Sequence, residues 1–195
     1  MTKYEFTMEH SAGSFEALAH MQYDLFCRVN RVTRFLVGIG AGLIGVMNMS
    51  VWWGMLLLVY GGYMLSGRYS SANHTARKLS RQLEESGAPY PRTRFLFHEQ
   101  AVEILDLNDP SAPQVFLKYA EVQAVGEDYR YFYLFRDRYG GYMLPKEQLG
   151  EREEHFRMDL AERCGRGIQS SSAPALRLLR WFLTWREKKK RDGSL

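Results

Sequence analysis

The sequence is poor in the residues that build disulfide scaffolds and metal sites. It has two cysteines, Cys27 and Cys164, and five scattered histidines among 195 residues. Two thiols exclude a disulfide-stapled scaffold. No histidine has a cysteine or carboxylate partner at metal-ligand spacing. We therefore expect neither a metal nor a cofactor.

Motifs that carry catalysis are missing as well. His98 and Glu99 begin like the metalloprotease motif HExxH, but its second histidine would fall on Val102. No Gly-x-Ser-x-Gly elbow presents a serine nucleophile, and Gly140-Gly141 precede neither a phosphate-binding lysine nor a helix start. We predict a protein that is not an enzyme, with room for one compact domain and an appendage.

Ionisable residues are absent from one long stretch. Residues 35 to 67 are 33 consecutive positions without Asp, Glu, Lys, Arg or His. One straight helix of that length would extend about 50 Å, whereas the hydrocarbon core of a bilayer is about 30 Å thick. Asn48 and Ser50 favour a turn in the middle. We therefore predict two transmembrane helices, at 29–47 and 50–68, joined as a hairpin.

The flanks of this stretch predict its orientation. Basic residues precede and follow it, whereas the turn has none. The positive-inside rule then places both termini in the cytoplasm and makes the chain a multi-pass protein of the cytoplasmic (inner) cell membrane. The first helix also carries small residues that permit close helix approach, either within the hairpin or against another subunit; these are Gly38, Ala41, Gly42 and Gly45.

The segments beside the hairpin have helical and strand patterns. Residues 4–6 suggest a short strand, and an amphipathic helix begins at about Ser14 and leads toward the hairpin. A polar helix at 72–86 follows the hairpin and ends at the stop signal Ser86-Gly87-Ala88-Pro89. These two helices are expected on the cytoplasmic side.

From Arg92 onward the apolar period changes from 3.6 to 2, which indicates strands. The predicted strands are 93–97, 101–107, 114–119, 121–127, 130–136 and 141–144. A helix at 150–164 places Phe156, Leu160 and Cys164 on one face and would close an open end of the sheet. The fold class is α+β: a transmembrane hairpin, a small antiparallel sheet or barrel of the pleckstrin-homology-like (PH-like) kind capped by a helix, and a basic amphipathic tail helix.

With these elements in place, the chain resembles the YcxB-like family over about residues 1–165. That resemblance implies a small bacterial membrane protein with a two-helix hairpin and a PH-like C-terminal domain, and it implies no activity. It is carried by the hairpin at 29–68 and by Phe95-Leu96-Phe97-His98-Glu99, Tyr119-Ala120-Glu121-Val122, Tyr131-Phe132-Tyr133-Leu134-Phe135 and Met143-Leu144-Pro145-Lys146. The expected organisation is an N-terminal cytoplasmic segment (1–28), the hairpin (29–68), a connecting helix and linker (69–91), the PH-like domain (92–164), a linker (165–173) and the tail (174–195).

The tail concentrates positive charge. Residues 174–191 have seven basic residues and one acid, a net +6, against +4 for the whole chain. A basic amphipathic helix with tryptophans at its polar boundary binds anionic lipid surfaces. Packing on a partner protein or on the PH-like domain is the alternative, and nucleic acid is a third and weaker one. The residues concerned are Arg177, Arg180, Trp181, Trp185, Arg186, Lys188, Lys189, Lys190 and Arg191.

A second basic set lies on or beside the last strands. Arg130, Arg136, Arg138 and Lys146 could bind a lipid headgroup or a partner, and the alternative is an ordinary solvated sheet face. We predict a membrane-anchored, non-enzymatic binding or scaffold protein, an accessory subunit that contacts a protein partner or a second copy. The alternatives are an anionic-lipid-sensing PH-like module and a component of a transporter or membrane enzyme; the uncharged hairpin disfavours the last.

Overall fold

The computed structural model describes residues 3–170, apart from the side chain of Arg68. This part of the chain is a mixed α+β structure with five α-helices and two largely antiparallel sheets. In chain order the elements are β1 (Tyr4–Glu9), α1 (Ala12–Phe26), α2 (Arg28–Met47), α3 (Trp52–Ser66), α4 (Ser70–Ser86), β2 (Arg92–Phe97), β3 (Ala101–Asp106), β4 (Val115–Lys118), β5 (Ala124–Glu127), β6 (Tyr131–Phe135), β7 (Gly141–Pro145), α5 (Glu153–Cys164) and β8 (Gln169–Ser170).

The strands form two four-stranded sheets, in the orders β1-β2-β3-β4 and β7-β6-β5-β8. β1 pairs with β2 in antiparallel register from Tyr4 opposite Phe97 to Glu9 opposite Arg92. The sheet that the sequence pattern begins at residue 92 thus has its first strand at the N-terminus. Helices α1 to α4 therefore form one excursion that leaves this sheet after β1 and returns to it at β2.

The strands and α5, together called the β-domain, share an aromatic core. Phe156 of α5 is 1% exposed, and its ring contacts those of Tyr4, Phe6, Phe97 and Phe132 at centroid distances of 4.9, 5.0, 5.3 and 5.3 Å. The i, i+4, i+8 spacing on α5 buries its three predicted residues, as expected. Since the rings come from both sheets, α5 holds the two sheets together.

Helices α1 and α4 lie side by side and connect the β-domain to α2 and α3. α1 begins at a capping box, in which the backbone N–H of Ser14 donates to the Ser11 hydroxyl at 3.3 Å and the Ser11 N–H donates to the Ser14 hydroxyl at 2.9 Å. The missing side chain of Gly126 lets β5 approach α1, because a Cβ there would lie 2.7 Å from the Met21 sulfur. α1 is thereby attached to the second sheet.

The two helices predicted for the apolar stretch are present as α2 and α3, separated by a turn at residues 48–51. Within the described residues, α2 is the one helix with both the length and the apolar composition needed to cross a membrane. The strand expected from residue 121 begins at Ala124, because Tyr119–Glu121 forms a short 3₁₀ turn. The tail at 174–195 lies outside the described residues.

Candidate functional site at the base of the helical hairpin

The antiparallel pair α2 and α3, together called the hairpin, is packed through glycines. A Cβ added at Gly61 would lie 2.7 Å from the Gly38 carbonyl oxygen, and one at Gly45 would lie 2.8 Å from the Gly54 carbonyl oxygen. Real Cβ atoms essentially never come this close to another heavy atom. The two backbones therefore touch at two levels, seven residues apart on each helix, as small residues allow.

The predicted packing residues of α2 do not all serve this contact in the same way. Gly38 and Gly45 are buried against α3, whereas Ala41 and Gly42 are half-buried. A Cβ on Gly42 would meet nothing within 4 Å. Sequence reasoning missed the partners on α3, Gly54 and Gly61, although their seven-residue spacing repeats that of Gly38 and Gly45.

The outer surface of the hairpin consists of large apolar side chains. Leu36, Leu43 and Val59 are 63%, 62% and 71% exposed, and Trp52 at the turn is 73% exposed. Soluble monomers rarely expose a contiguous apolar surface of this kind, and large ones mark contact with a protein or a membrane. The hairpin thus has glycine inside and bulky apolar residues outside.

The α-helix is interrupted between α1 and α2 and again between α3 and α4. We call the region that contains these two interruptions, or breaks, the joint. On one side Cys27 separates α1 from α2, and on the other a 3₁₀ turn, Gly67–Tyr69, separates α3 from α4. The Arg34 guanidinium donates from Nη1 to the Gly67 carbonyl oxygen at 3.2 Å. This hydrogen bond therefore ties α2 to the 3₁₀ turn.

A buried carboxylate lies at the joint. The Asp24 side chain is 4% exposed, and its Oδ1 lies 3.5 Å from Arg31 Nη1. The Tyr69 hydroxyl donates to Asp24 Oδ2 at 3.0 Å. A buried charge is stable only when paired and hydrogen-bonded, so this cluster requires α1, α2 and the 3₁₀ turn to keep their relative positions. Sequence reasoning missed Asp24; the available signal was its spacing to Arg31, two turns along one helical face.

Aromatic and amide groups extend this cluster toward the β-domain. The His20 ring stacks on Tyr69 at a centroid distance of 4.1 Å, and its Nε2 contacts the side-chain oxygen of Asn73. A cavity of about 360 Å³ separates these residues from the turn between β5 and β6, which contributes Tyr129 and Arg130 to its wall. The joint is therefore a polar connection between the helices with a cleft beside it.

Lys146, one of the four predicted patch residues, is engaged inside the β-domain. Its side chain is 9% exposed, and Nζ lies 2.9 Å from both Glu127 Oε2 and Glu153 Oε1. The ammonium also lies 4.4 Å from the centroid of the Phe132 ring. Arg157 pairs with the same two carboxylates. This network joins α5 to the sheet, and the Lys146 ammonium is already paired with two carboxylates.

The other three patch residues do not form one surface. Arg130 precedes β6 and Arg136 follows it, so they are about 20 Å apart along the strand. Arg136 lies 3.7 Å from Glu121. The turn containing Arg138 lies beside the end of α1, since the Gln22 amide donates to the Arg138 carbonyl. The structure therefore separates Arg136 and Arg138, after the end of β6, from Arg130 and Lys146, which lie together at its start.

Cys164 and His98 both lie in structural surroundings. Cys164 is buried on α5, and burial raises the pKa of its thiol to about 11. His98 Nε2 lies 2.8 Å from Glu103 Oε2 on the adjacent strand. Among residues 3–170, no group of three or more His, Cys, Asp and Glu side chains is arranged to hold a metal ion.

Comparison with known proteins found no matching family model, no matching curated protein and no matching solved structure. The resemblance to the YcxB-like family therefore stays a prediction, and any function must be argued from the geometry described above.

Proposed function

We propose that this chain is a membrane-anchored, non-enzymatic binding or scaffold protein. Its hairpin would cross the cytoplasmic membrane twice, and its β-domain would be presented at the inner surface. The observation that carries this proposal is the arrangement of the hairpin, which has backbone-to-backbone glycine contacts inside, bulky apolar side chains outside and no ionisable residue from 35 to 67. Lipid is the solvent that matches such a surface.

The dimensions of the hairpin support this proposal. The 20 residues of α2 extend about 30 Å, the thickness of the hydrocarbon core, but Arg28, Arg31 and Arg34 lie in its first two turns, so the part without ionisable side chains, residues 35–47, extends about 20 Å. The 15 residues of α3 extend about 22 Å. The turn and the 3₁₀ residues that flank α3 lengthen this path, and local bilayer thinning accommodates a short span. Trp52 and Trp53 at the turn fit an aromatic belt at the far interface.

The sheet pairing supports a topology with both ends on one side. Because β1 pairs with β2, the chain must return from the hairpin to the side from which it left. Basic residues lie at both flanks of the uncharged stretch, with Arg28 and Arg31 at the start of α2 and Arg77 and Lys78 in α4. The positive-inside rule then favours the cytoplasm for the β-domain and both termini.

A protein partner or a second copy is the proposed binding target of the β-domain. Tyr129 and Tyr139 are 81% and 75% exposed, at turns on opposite ends of β6. The Arg130 and Arg138 guanidinium groups lie over these rings, at 5.0 and 4.7 Å from their centroids. Tyr and Arg are the residue types enriched at binding hot spots. In this proposal the β-domain is PH-like and of the YcxB-like kind, and the basic tail binds the anionic leaflet.

Single-cysteine labelling tests the topology. In a chain with Cys27→Ala and Cys164→Ala, Ser50→Cys at the turn should react with a membrane-impermeant maleimide added to intact cells or spheroplasts. The matched variant Ser111→Cys, on an exposed loop of the β-domain, should react only after permeabilisation. Equal labelling of both variants in intact cells, or release of the protein by alkaline carbonate, would reject the membrane hairpin.

Copurification tests the binding role. After mild-detergent extraction, we expect one stoichiometric protein partner or a dimer. Tyr129→Ser with Tyr139→Ser should abolish the association, whereas Phe116→Ser, which removes another exposed aromatic side chain, should preserve it. A strictly monomeric wild-type protein without a partner would contradict the scaffold role.

A further inference from the structure

We infer that the outer face of α4 binds the anionic phospholipid headgroups of the leaflet that the hairpin enters. This inference rests on the proposed membrane insertion and names a lipid contact outside both the tail and the β-domain. A groove of about 890 Å³ runs along α4, and its wall contains Arg77, Lys78 and Arg81 together with Ser66 and Gly67 at the end of α3. The basic groove thus begins at the level where the apolar surface ends.

Charge is distributed asymmetrically along α4. Its first twelve residues, 70–81, include three basic residues and no acid, whereas Glu84 and Glu85 lie in the last turn. The three basic residues thus begin about two turns from the hairpin end of α4, and the acids lie at its far end. Juxtamembrane basic clusters are attracted to the negative surface potential of the cytoplasmic leaflet.

The direction of α4 brings these side chains toward the bilayer. Cα–Cβ bonds in a helix tilt toward its N-terminus, and the N-terminus of α4 is the end attached to the hairpin. Arg77 and Arg81 lie about 10 and 16 Å along the axis from Ser70. The interfacial layer is about 5 to 7 Å thick on each side of the hydrocarbon core, and electrostatic attraction extends about 8 Å further at physiological salt. Long side chains that lean toward the membrane cover the remaining distance.

The basic face is not needed to hold α4 in place. The buried face of this helix consists of small residues, Ala72, Ala76 and Ser80. Arg77 pairs with Glu16 at 3.3 Å and Arg81 with Glu85 at 2.7 Å, but the two arginine side chains are 75% and 79% exposed. Exposed pairs of this kind contribute little to stability. The guanidinium groups are therefore available to exchange a carboxylate for a phosphodiester, which Arg binds in the same bidentate manner.

Photo-crosslinking of the full chain in vesicles tests this inference. Vesicles of phosphatidylcholine and phosphatidylglycerol would contain trace headgroup-photoactivatable phosphatidylglycerol or, in parallel, photoactivatable phosphatidylcholine at the same mole fraction. Crosslinks are mapped by mass spectrometry after cleavage at basic residues, because a cut after Arg68 separates residues 35–68 from the α4 segment. We expect the segment 70–81 to crosslink at least fivefold more to phosphatidylglycerol than to phosphatidylcholine.

Matched triple variants then assign the effect to the groove. Arg77→Gln, Lys78→Gln and Arg81→Gln together should reduce the phosphatidylglycerol preference of this segment to about onefold. Arg92→Gln, Arg94→Gln and Lys118→Gln remove the same charge from exposed positions on the β-domain and should leave the preference unchanged. Crosslinks to the tail segment, if present, serve as an internal reference in every sample.

Two failures are distinguishable in this experiment. A chain-end photoactivatable lipid that does not crosslink to residues 35–66 would reject the membrane insertion itself. Crosslinking of the hairpin without any headgroup preference at 70–81, or with a preference that survives the triple substitution, would reject the α4 surface alone.

Discussion

The hairpin and the β-domain arrange their apolar residues in opposite ways. In the β-domain the interior is filled by large rings such as Phe6, Phe97 and Phe156, each 1% exposed, and β1 alternates buried with exposed residues. In the hairpin the buried residues of α3 are the glycines Gly54 and Gly61, and the large side chains face outward.

If the hairpin is inserted in the membrane as proposed, the two parts are stabilised by different surroundings. Burying rings away from water contributes about 25 cal/mol per Å² of apolar surface to the β-domain. A glycine contact buries little side-chain surface, so the hairpin gains its stability from close backbone packing and from whatever surrounds its exterior. Asp24 and its partners lie at the joint, between the ring-packed β-domain and the glycine-packed hairpin.

The largest expected effect comes from removing the ring at the centre of the β-domain. Phe156→Ala should lower the free energy of unfolding by about 3–5 kcal/mol, because it removes buried surface and leaves a cavity among four other rings. Urea titration in detergent, followed by hydrogen exchange of β6, measures this loss. Met158→Ala, at a 57% exposed position of the same helix, should change it by less than about 0.5 kcal/mol. Equal effects would show that the ring cluster is not the core of this unit.

The reverse substitution breaks the hairpin. Gly61→Leu should destabilise the α2–α3 contact by about 1–3 kcal/mol, because even a Cβ at this position would collide with the Gly38 carbonyl. Gly62→Leu should be tolerated, since a Cβ there meets nothing within 4 Å. Distances between spin labels at Leu43→Cys and Val59→Cys in bicelles should lengthen only in the first variant. No lengthening would contradict the glycine contact.

A smaller effect is expected at the joint. Asp24→Asn keeps the shape of the side chain but removes the charge that Arg31 and Tyr69 face, which should destabilise this region by about 1–2 kcal/mol. Hydrogen exchange at residues 24–31 and 67–72 should accelerate accordingly. Glu16→Gln, which alters an exposed pair with Arg77, should change exchange by less than about 0.5 kcal/mol. Equal protection in both variants would show that Asp24 does not tie the two breaks together.

The last prediction concerns the reactivity of Cys164, which measures the burial of its thiol without a change of structure. Burial raises the pKa of this thiol to about 11 from an ordinary value of 9.0, so its thiolate is about 100-fold scarcer at pH 8. Alkylation by iodoacetamide should be slower by that factor than in urea-unfolded protein. The rate should rise about tenfold per pH unit until about pH 11. Mass spectrometry of the labelled peptide gives the rate, and a folded rate equal to the unfolded one would contradict the buried environment.

Most elements could be predicted because their signals are local. The uncharged stretch and its central Asn48 predict α2, a turn and α3, and alternation predicts β2 to β7 to within a few residues. The full length of β1 and the existence of β8 were not predicted. Both are short strands whose partners lie far away in the chain, so their own residues carry little of the signal.

The candidate site could be predicted less well than the fold. A list of basic residues does not show which of them have ion-pair partners. Lys146 pairs with Glu127 and Glu153, and these two acids come from different elements. The joint was missed for a similar reason, because Asp24 and Tyr69 are 45 residues apart. The tail residues named from the sequence lie outside the described part of the chain.

By itself, the sequence determined where this chain is apolar, where it turns and which segments are helices or strands, because charge, period and turn residues act over a few neighbours. Only the tertiary structure decided that residues 4–9 complete the sheet of residues 92–97, that glycines of α2 meet glycines of α3, and that a carboxylate is buried where the hairpin begins. Those contacts join residues that are distant in the chain, and their free energy exists only once the intervening segments have folded back on one another.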